Sequence, residues 1–176
     1  MAHSKTDIKK YQKLTPEEFA KQCSSIVTLL LKDHKAMRLL MVKIHSSRSS
    51  NALIARTYTT LEKLVYSHMA AEELALLNHL KAHPKFEDEA LESYEEHRIH
   101  EQIFDGIAKL KNTDRALMRM KIYCEILEHH LQEEEEELFP QYKKYFALST
   151  RKKAGRKFFN KRLQTNNTSK RLGALS

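Results

Sequence analysis

Residues 127–140 read Leu-Glu-His-His-Leu-Gln-Glu-Glu-Glu-Glu-Glu-Leu-Phe-Pro. Within this stretch Glu134 follows His130 by four positions, and a helix places two such side chains on one face. His68 and Glu72 have the same spacing in an earlier segment. Imidazole nitrogens and carboxylate oxygens that converge on one point are typical ligands of first-row transition metals. The repeated spacing therefore predicts helices that carry metal ligands.

An acid–histidine dipeptide precedes each of these pairs. The histidine of Asp33-His34 lies 34 positions before His68. The histidine of Glu96-His97 lies 33 positions before His130. The chain therefore contains the same pattern twice, an acid and a histidine followed by His-x3-Glu.

The composition favours helices. The 176 residues include only three Gly and three Pro and no Trp, whereas good helix formers such as Leu, Ala, Glu and Lys are abundant. A chain of this length can bury one sizeable core. No apolar run approaches the ~18 residues that a membrane-spanning helix needs. We therefore expect a single all-α domain.

Apolar residues recur with helical spacing in four segments. The predicted helices run from Thr15 to about His45, from about residue 52 to His83, from about Glu87 to Lys111, and from Thr113 onward. Thr15 can cap the first helix, and Pro16 suits its first turn. Short polar links between the helices favour an antiparallel up-down-up-down four-helix bundle over residues 15–148, preceded by an arm at residues 1–14.

The candidate metal ligands lie in phase with these apolar stripes. They are His34, His68, Glu72, His97, Glu101, His130 and Glu134. Buried ionisable groups are costly unless they are paired or bind metal. Seven ligands exceed the four of a structural zinc and suit two iron or manganese ions, with Glu72 and Glu134 as bridges. Asp33 and Glu96 lie about a quarter turn away, so we expect them to support ligand histidines or to face the surface.

Neighbouring residues offer alternatives to some of these ligands. His129 lies about 100° around the helix from His130 and off the apolar stripe, so it is expected to be exposed. His100 could replace Glu101, because the position three residues after a ligand also faces the site. Within the acidic run 133–137, only Glu134 is in phase with the apolar stripe.

These segments together resemble the hemerythrin-like HHE cation-binding domains over roughly residues 15–145. The resemblance is carried by Asp33-His34, by His68-x3-Glu72-Glu73 with Leu76-Leu77, by Glu96-His97-Arg98, and by His130-x3-Glu134 with Leu138-Phe139-Pro140. It implies a four-helix bundle that holds two non-haem iron ions, oxo- or hydroxo-bridged, and that binds dioxygen.

The chain departs from the oxygen carriers of that family on two helices. It has His97-x3-Glu101 where they have His-x3-His, and His130-x3-Glu134 where they have His-x4-Asp. A carboxylate in place of an imidazole stabilises the ferric state. The expected function is therefore binding of dioxygen or a related oxidant in oxygen or iron sensing, storage or detoxification. The alternatives are a di-iron enzyme acting on peroxide or nitric oxide, and an iron-responsive regulatory module.

Positive charge is concentrated at the C-terminal end. The formal net charge is +8, but residues 150–176 contain nine Lys or Arg and no acid, whereas residues 1–149 contain 22 basic and 23 acidic side chains. We expect residues 149–176 to form a flexible tail or a short helix. Such a helix could use Phe158, Phe159 and Leu163 to contact an anionic surface or an acidic partner.

The cysteines and the first residues indicate the compartment. Cys23 and Cys124 are isolated and lack the Cys-x2-Cys spacing of a metal or redox motif. Residues 1–13 are polar and charged, unlike a signal peptide. These features predict a cytoplasmic protein in a reducing environment.

Overall fold

A computed structural model describes residues 24–111 and 113–173 of the chain, with side chains up to residue 165. Its α-helices are α1 (Ile26–His45), α2 (Asn51–Glu72), α3 (Asn78–Lys81), α4 (Glu87–Ala108), α5 (Thr113–Glu133), α6 (Phe139–Tyr145) and α7 (Leu148–Gly173). The described residues contain no strand. The prediction of an all-α helical bundle is therefore confirmed.

A serine side chain caps the N-terminus of each of the first two helices. Ser25 caps α1 by accepting a hydrogen bond from the backbone N–H of Thr28. Ser50 caps α2 by accepting one from the backbone N–H of Leu53. Each cap satisfies a backbone donor that has no partner within the helix. Thr15 and the N-terminal arm lie outside the described residues. The single helix expected from Thr15 to about His45 is nevertheless wrong, because Ser24 and Ser25 are not helical and Ser25 caps a helix that begins at Ile26.

Two π-helical segments interrupt the bundle helices. Glu73–Leu77 joins α2 to α3, and Glu134–Leu138 joins α5 to α6. The first segment begins one residue after Glu72, and the second begins at Glu134, so each starts where a His-x3-Glu pair ends. A π-helical turn contains one more residue than an α-helical turn, and such turns are frequent at functional sites. The repeated sequence pattern is thus accompanied by a repeated irregularity of the backbone.

The histidines separate two apolar clusters of the core. The Phe86 cluster includes Ile26, Leu30, Leu76, Phe86, Phe139 and Phe158. The Phe104 cluster includes Met37, Ile44, Leu61, Val65, Phe104 and Leu127. On α1, His34 lies between Leu30 of one cluster and Met37 of the other. The histidine layer therefore has apolar packing on both sides, which excludes bulk water from it.

Helix α7 packs against α1, α2 and the first π-helical segment. Its side chains Ala154, Phe158 and Phe159 are buried in the Phe86 cluster. Gly155 permits a close approach to α1, because a Cβ atom there would lie 2.6 Å from the backbone oxygen of Ser24. The segment expected to be flexible or a short helix is thus a 26-residue helix that shares the core of the bundle. No described helix carries an apolar run that could span a bilayer.

Candidate metal centre

Four buried histidines, each from a different helix, meet between the two apolar clusters. They are His34 on α1, His68 on α2, His97 on α4 and His130 on α5. Ligand atoms of His34, His68 and Glu134 lie within 4.8 Å of one another, as do those of His97, His130 and Glu134. We call the first group position 1 and the second group position 2. The two positions share Glu134.

Glu134 and Glu72 each lie between a histidine of position 1 and a histidine of position 2. The oxygens of Glu134 lie 3.1 Å from Nε2 of His34 and 3.5 Å from Nε2 of His130. Glu72 Oε2 lies 3.3 Å from Nε2 of His68 and 3.9 Å from Nε2 of His97. Glu134 is thus common to both positions, and Glu72 lies near one histidine of each.

The atoms that face the centre lack hydrogen-bond partners. They are Nε2 of His34, His68, His97 and His130, and both carboxylate oxygens of Glu72 and Glu134. Within the described residues they approach one another only as imidazole–carboxylate ion pairs of 3.1–3.9 Å, whose geometry is not that of a hydrogen bond. A buried polar atom without a partner costs ~1–3 kcal/mol, so eight in one place require an explanation. Mixed imidazole and carboxylate donors fit two transition-metal cations, which would satisfy all eight atoms.

The outward nitrogen of each histidine donates to a carboxylate. The Nδ1 atoms pair as His34 with Glu135 (2.8 Å), His68 with Asp33 (3.2 Å), His97 with Glu73 (3.0 Å) and His130 with Glu96 (2.9 Å). Such a bond fixes the ring and the tautomer, and leaves the Nε2 lone pair free for a metal. The geometry therefore supports ligation through Nε2 at all four histidines.

The pairing is regular but crosses between the two copies of the pattern. The acid before His34 holds His68, and the acid before His97 holds His130. In contrast, Glu73 of the first copy accepts from His97 of the second copy. Glu135 of the second copy accepts from His34 of the first. Asp33 and Glu96 were expected either to support ligand histidines or to face the surface, and the structure shows the first; Glu73 and Glu135 were not expected in this role. The one sequence feature that could have indicated them is that a second Glu follows the ligand Glu in both copies.

The carboxylates make the centre attractive to cations. Burial disfavours the charged form of His68, but the carboxylates of Asp33 and Glu72 raise its pKa to about 10. Burial also opposes the charged form of His130, yet Glu134 and Glu96 raise its pKa to about 9. Burial opposes ionisation of Glu134, but the imidazoles of His130 and His34 hold its pKa below the ordinary value. A metal cation could replace the protons of these imidazoles.

Of the two third-helix candidates, the structure buries His100 near the centre and leaves Glu101 at the surface. Glu101 is exposed, whereas His100 is 2% exposed and its ring centroid lies 5.0 Å from that of His130. Nδ1 of His100 has no described hydrogen-bond partner. Burial, together with His130 and His97, lowers the pKa of His100 to about 3, so this imidazole is neutral and can act as a ligand. Helix α4 is rotated so that the position three residues after His97 faces inward.

The acidic segment of the last bundle helix contains one more functional residue than expected. His129 is exposed and pairs with Glu133 at 3.2 Å, whereas His130 is buried. Only Glu134 of this acidic run was expected to be in phase with the apolar stripe, but Glu135 is half-buried and contacts His34. The π-helical segment that begins at Glu134 changes the phase of the following residues, so a regular α-helical projection fails here.

Helix α7 covers position 1. The ring of Phe158 packs edge-on against His68, with centroids 5.8 Å apart. Arg162 donates a hydrogen bond to Asp33, the residue that holds His68. At position 2 the corresponding acid, Glu96, is 31% exposed in its side chain. Each position thus has two histidines and a share in Glu134, but the two positions have different surroundings.

Comparison with known proteins identifies one family. The family described as Hemerythrin HHE cation binding domain matches residues 25–142. The match includes α1 to α5 and the start of α6, with all four buried histidines, Glu72 and Glu134. Helix α7 lies beyond it. No match was found among curated proteins or among solved structures.

Proposed function

Because the chain belongs to the hemerythrin HHE cation-binding domain family, we propose that its buried cluster binds two non-haem iron ions. His34 and His68 hold the ion at position 1, and His97 and His130 hold the ion at position 2. Glu72 and Glu134 bridge the two ions. His100 supplies a further ligand at position 2.

The eight inward-facing atoms without hydrogen-bond partners are the observation that carries this proposal. A structural zinc takes four ligands, usually including Cys. This centre offers more ligands, all of them imidazole or carboxylate groups. Octahedral iron or manganese uses such a set fully.

We further propose that the protein binds dioxygen or a related oxidant, in oxygen or iron sensing, storage or detoxification. Bound iron supplies the redox chemistry, and the chain supplies geometry and a dry environment. The carboxylates at Nδ1 keep the four Nε2 lone pairs directed at the centre. Access is expected from position 2, because Glu96 is partly exposed there, whereas Phe158 closes the side of His68.

A second candidate function is an iron-responsive module that acts through α7. The contacts of Phe158 and Arg162 with the His68–Asp33 pair favour it, because they connect the centre directly to this helix. The outer face of α7 carries the exposed cations Lys153, Arg156 and Lys157, which suit an anionic surface or an acidic partner. Phe158 and Phe159 are buried, so charge and not an inserted aromatic ring would make that contact.

Metal analysis combined with an optical spectrum of the aerobic protein tests the main proposal. We expect two iron ions per chain and ligand-to-metal charge-transfer absorption in the visible or near-ultraviolet region. One zinc ion per chain, or no metal after reconstitution with ferrous iron, would contradict it.

Further measurements separate the functional alternatives. Reversible spectral changes with dioxygen support binding, whereas catalytic loss of peroxide or nitric oxide supports the enzyme alternative. The iron-responsive module requires that iron changes the exposure of α7. Equal rates of proteolysis within residues 150–165, with iron and after chelation, would exclude that module.

A further inference from the structure

The carboxylate of Asp33 is shared between a ligand histidine and the C-terminal helix. Its Oδ2 atom accepts from Nδ1 of His68 at 3.2 Å. Its Oδ1 atom accepts from Nη1 of Arg162, which lies 129 positions later in the chain. Asp33 is 6% exposed. A single buried carboxylate thus connects α7 to the imidazole of position 1.

The equivalent acid of position 2 has no such support. Glu96 accepts from Nδ1 of His130 at 2.9 Å, so it has the same role as Asp33. However, no Lys or Arg among the described residues forms an ion pair with Glu96, and its side chain is 31% exposed. Water can therefore compete for the Glu96 carboxylate, whereas a permanently charged guanidinium holds that of Asp33.

We propose that Arg162 is a positioning residue for position 1, which it makes the tighter of the two metal positions. It fixes the orientation of Asp33, which in turn holds His68 with its Nε2 lone pair directed at the metal. Phe158, one helical turn earlier on α7, packs against the same imidazole and restricts its rotation. This inference rests on the proposed function, since it requires two metal positions.

Calorimetric titration of the metal-free protein with Co(II) tests this role. The wild type is expected to bind two ions with different affinities. Arg162→Met should weaken the tighter site by about tenfold, because partners of ligating residues contribute 10–100-fold to metal affinity. The weaker site should be unchanged. Arg162→Lys should restore part of the loss, because it keeps the positive charge.

Arg156→Met is the matched control. Arg156 is exposed on the same helix, so its replacement removes the same charge without breaking the contact with Asp33, and both affinities should remain as in the wild type. Equal affinities in Arg162→Met and wild type, an equal loss at both sites, or the same loss in Arg156→Met would overturn the proposal.

A double-mutant cycle with Asp33→Asn separates positioning from general docking of α7. Asp33→Asn breaks the ion pair from the bundle side, so Arg162→Met should cause little further loss in that background. A full additional loss would mean that Arg162 acts elsewhere. This cycle also decides the matter if Arg162→Met alone folds poorly, because Asp33→Asn can then be combined with Arg162→Lys. If the wild type does not bind two ions, the proposed function fails instead.

Discussion

Position 1 and position 2 are built from the same elements but lie in different surroundings. Each has two buried histidines, a share in Glu134 and a carboxylate on every outward nitrogen. Position 1 is covered by α7, and the acid that holds its His68 is itself held by Arg162. Position 2 has the additional His100 and a partly exposed supporting acid, Glu96.

This difference shows how a duplicated pattern can give two unequal sites. The duplicated residues place two histidines and a shared glutamate at each position, so the two positions match in these groups. Residues outside the duplicated pattern set rigidity and access, and these residues differ. We therefore expect position 1 to retain its metal and position 2 to exchange ligands with solvent.

The largest effect is expected from Glu134→Ala, because both positions depend on this residue. Loss of the shared carboxylate should remove most of the iron from both, giving well under one ion per chain after gel filtration. Metal analysis measures this directly. Glu136→Ala is the control, because Glu136 is exposed in the same acidic run. Two ions retained in Glu134→Ala would contradict the shared site.

Replacing one histidine should separate the positions. His68→Ala is expected to remove the ion at position 1, and His130→Ala is expected to remove the ion at position 2. Each variant should therefore keep about one iron, because even the loss of a residue that supports a ligand lowers metal affinity by about 10–100-fold. The two half-occupied proteins should have different optical spectra, because His100 lies only at position 2. His129→Ala should keep two ions, since His129 is exposed. Identical spectra would mean that the positions are equivalent.

Displacing α7 should affect position 1 and overall stability. In Gly155→Ala the added Cβ meets the backbone of Ser24 and Ile26, and such overpacking typically costs ~1–3 kcal/mol. Urea unfolding of the metal-free protein measures this cost. Gly106→Ala is the control, because there the added Cβ meets only the flexible end of Arg119 at 3.4 Å. It should be neutral or stabilise α4 by up to ~1 kcal/mol. Equal stabilities of the two variants would argue against tight docking of α7.

The smallest effect is expected at the third-helix ligand. His100→Ala should weaken iron at position 2 several-fold, because His97, His130 and the two glutamates remain. Glu101→Ala should leave both affinities unchanged, since Glu101 is exposed. Competition with a chelator of known affinity measures both variants. A loss in Glu101→Ala and none in His100→Ala would restore the ligand expected from the sequence.

Much of the centre follows from local sequence pattern, but the third-helix candidate and the carboxylate beside His34 do not. The four histidines lie on apolar helix stripes, and all four are buried in the structure. The choice between His100 and Glu101 depends on the rotation of α4 about its axis, since both follow His97 by about one turn. Glu135 was missed because the π-helical segment alters the helical phase after Glu134.

The all-helical fold, the family and the two copies of the ligand pattern could be predicted from the chain's residues alone. These features depend on periodicity and on short spacings, which helix geometry fixes locally. The carboxylate partner of each histidine, and the docking of α7 over position 1, depend instead on how the helices pack. Those contacts join residues as far apart as Asp33 and Arg162. The packing of whole helices determines them, because no local spacing relates such residues.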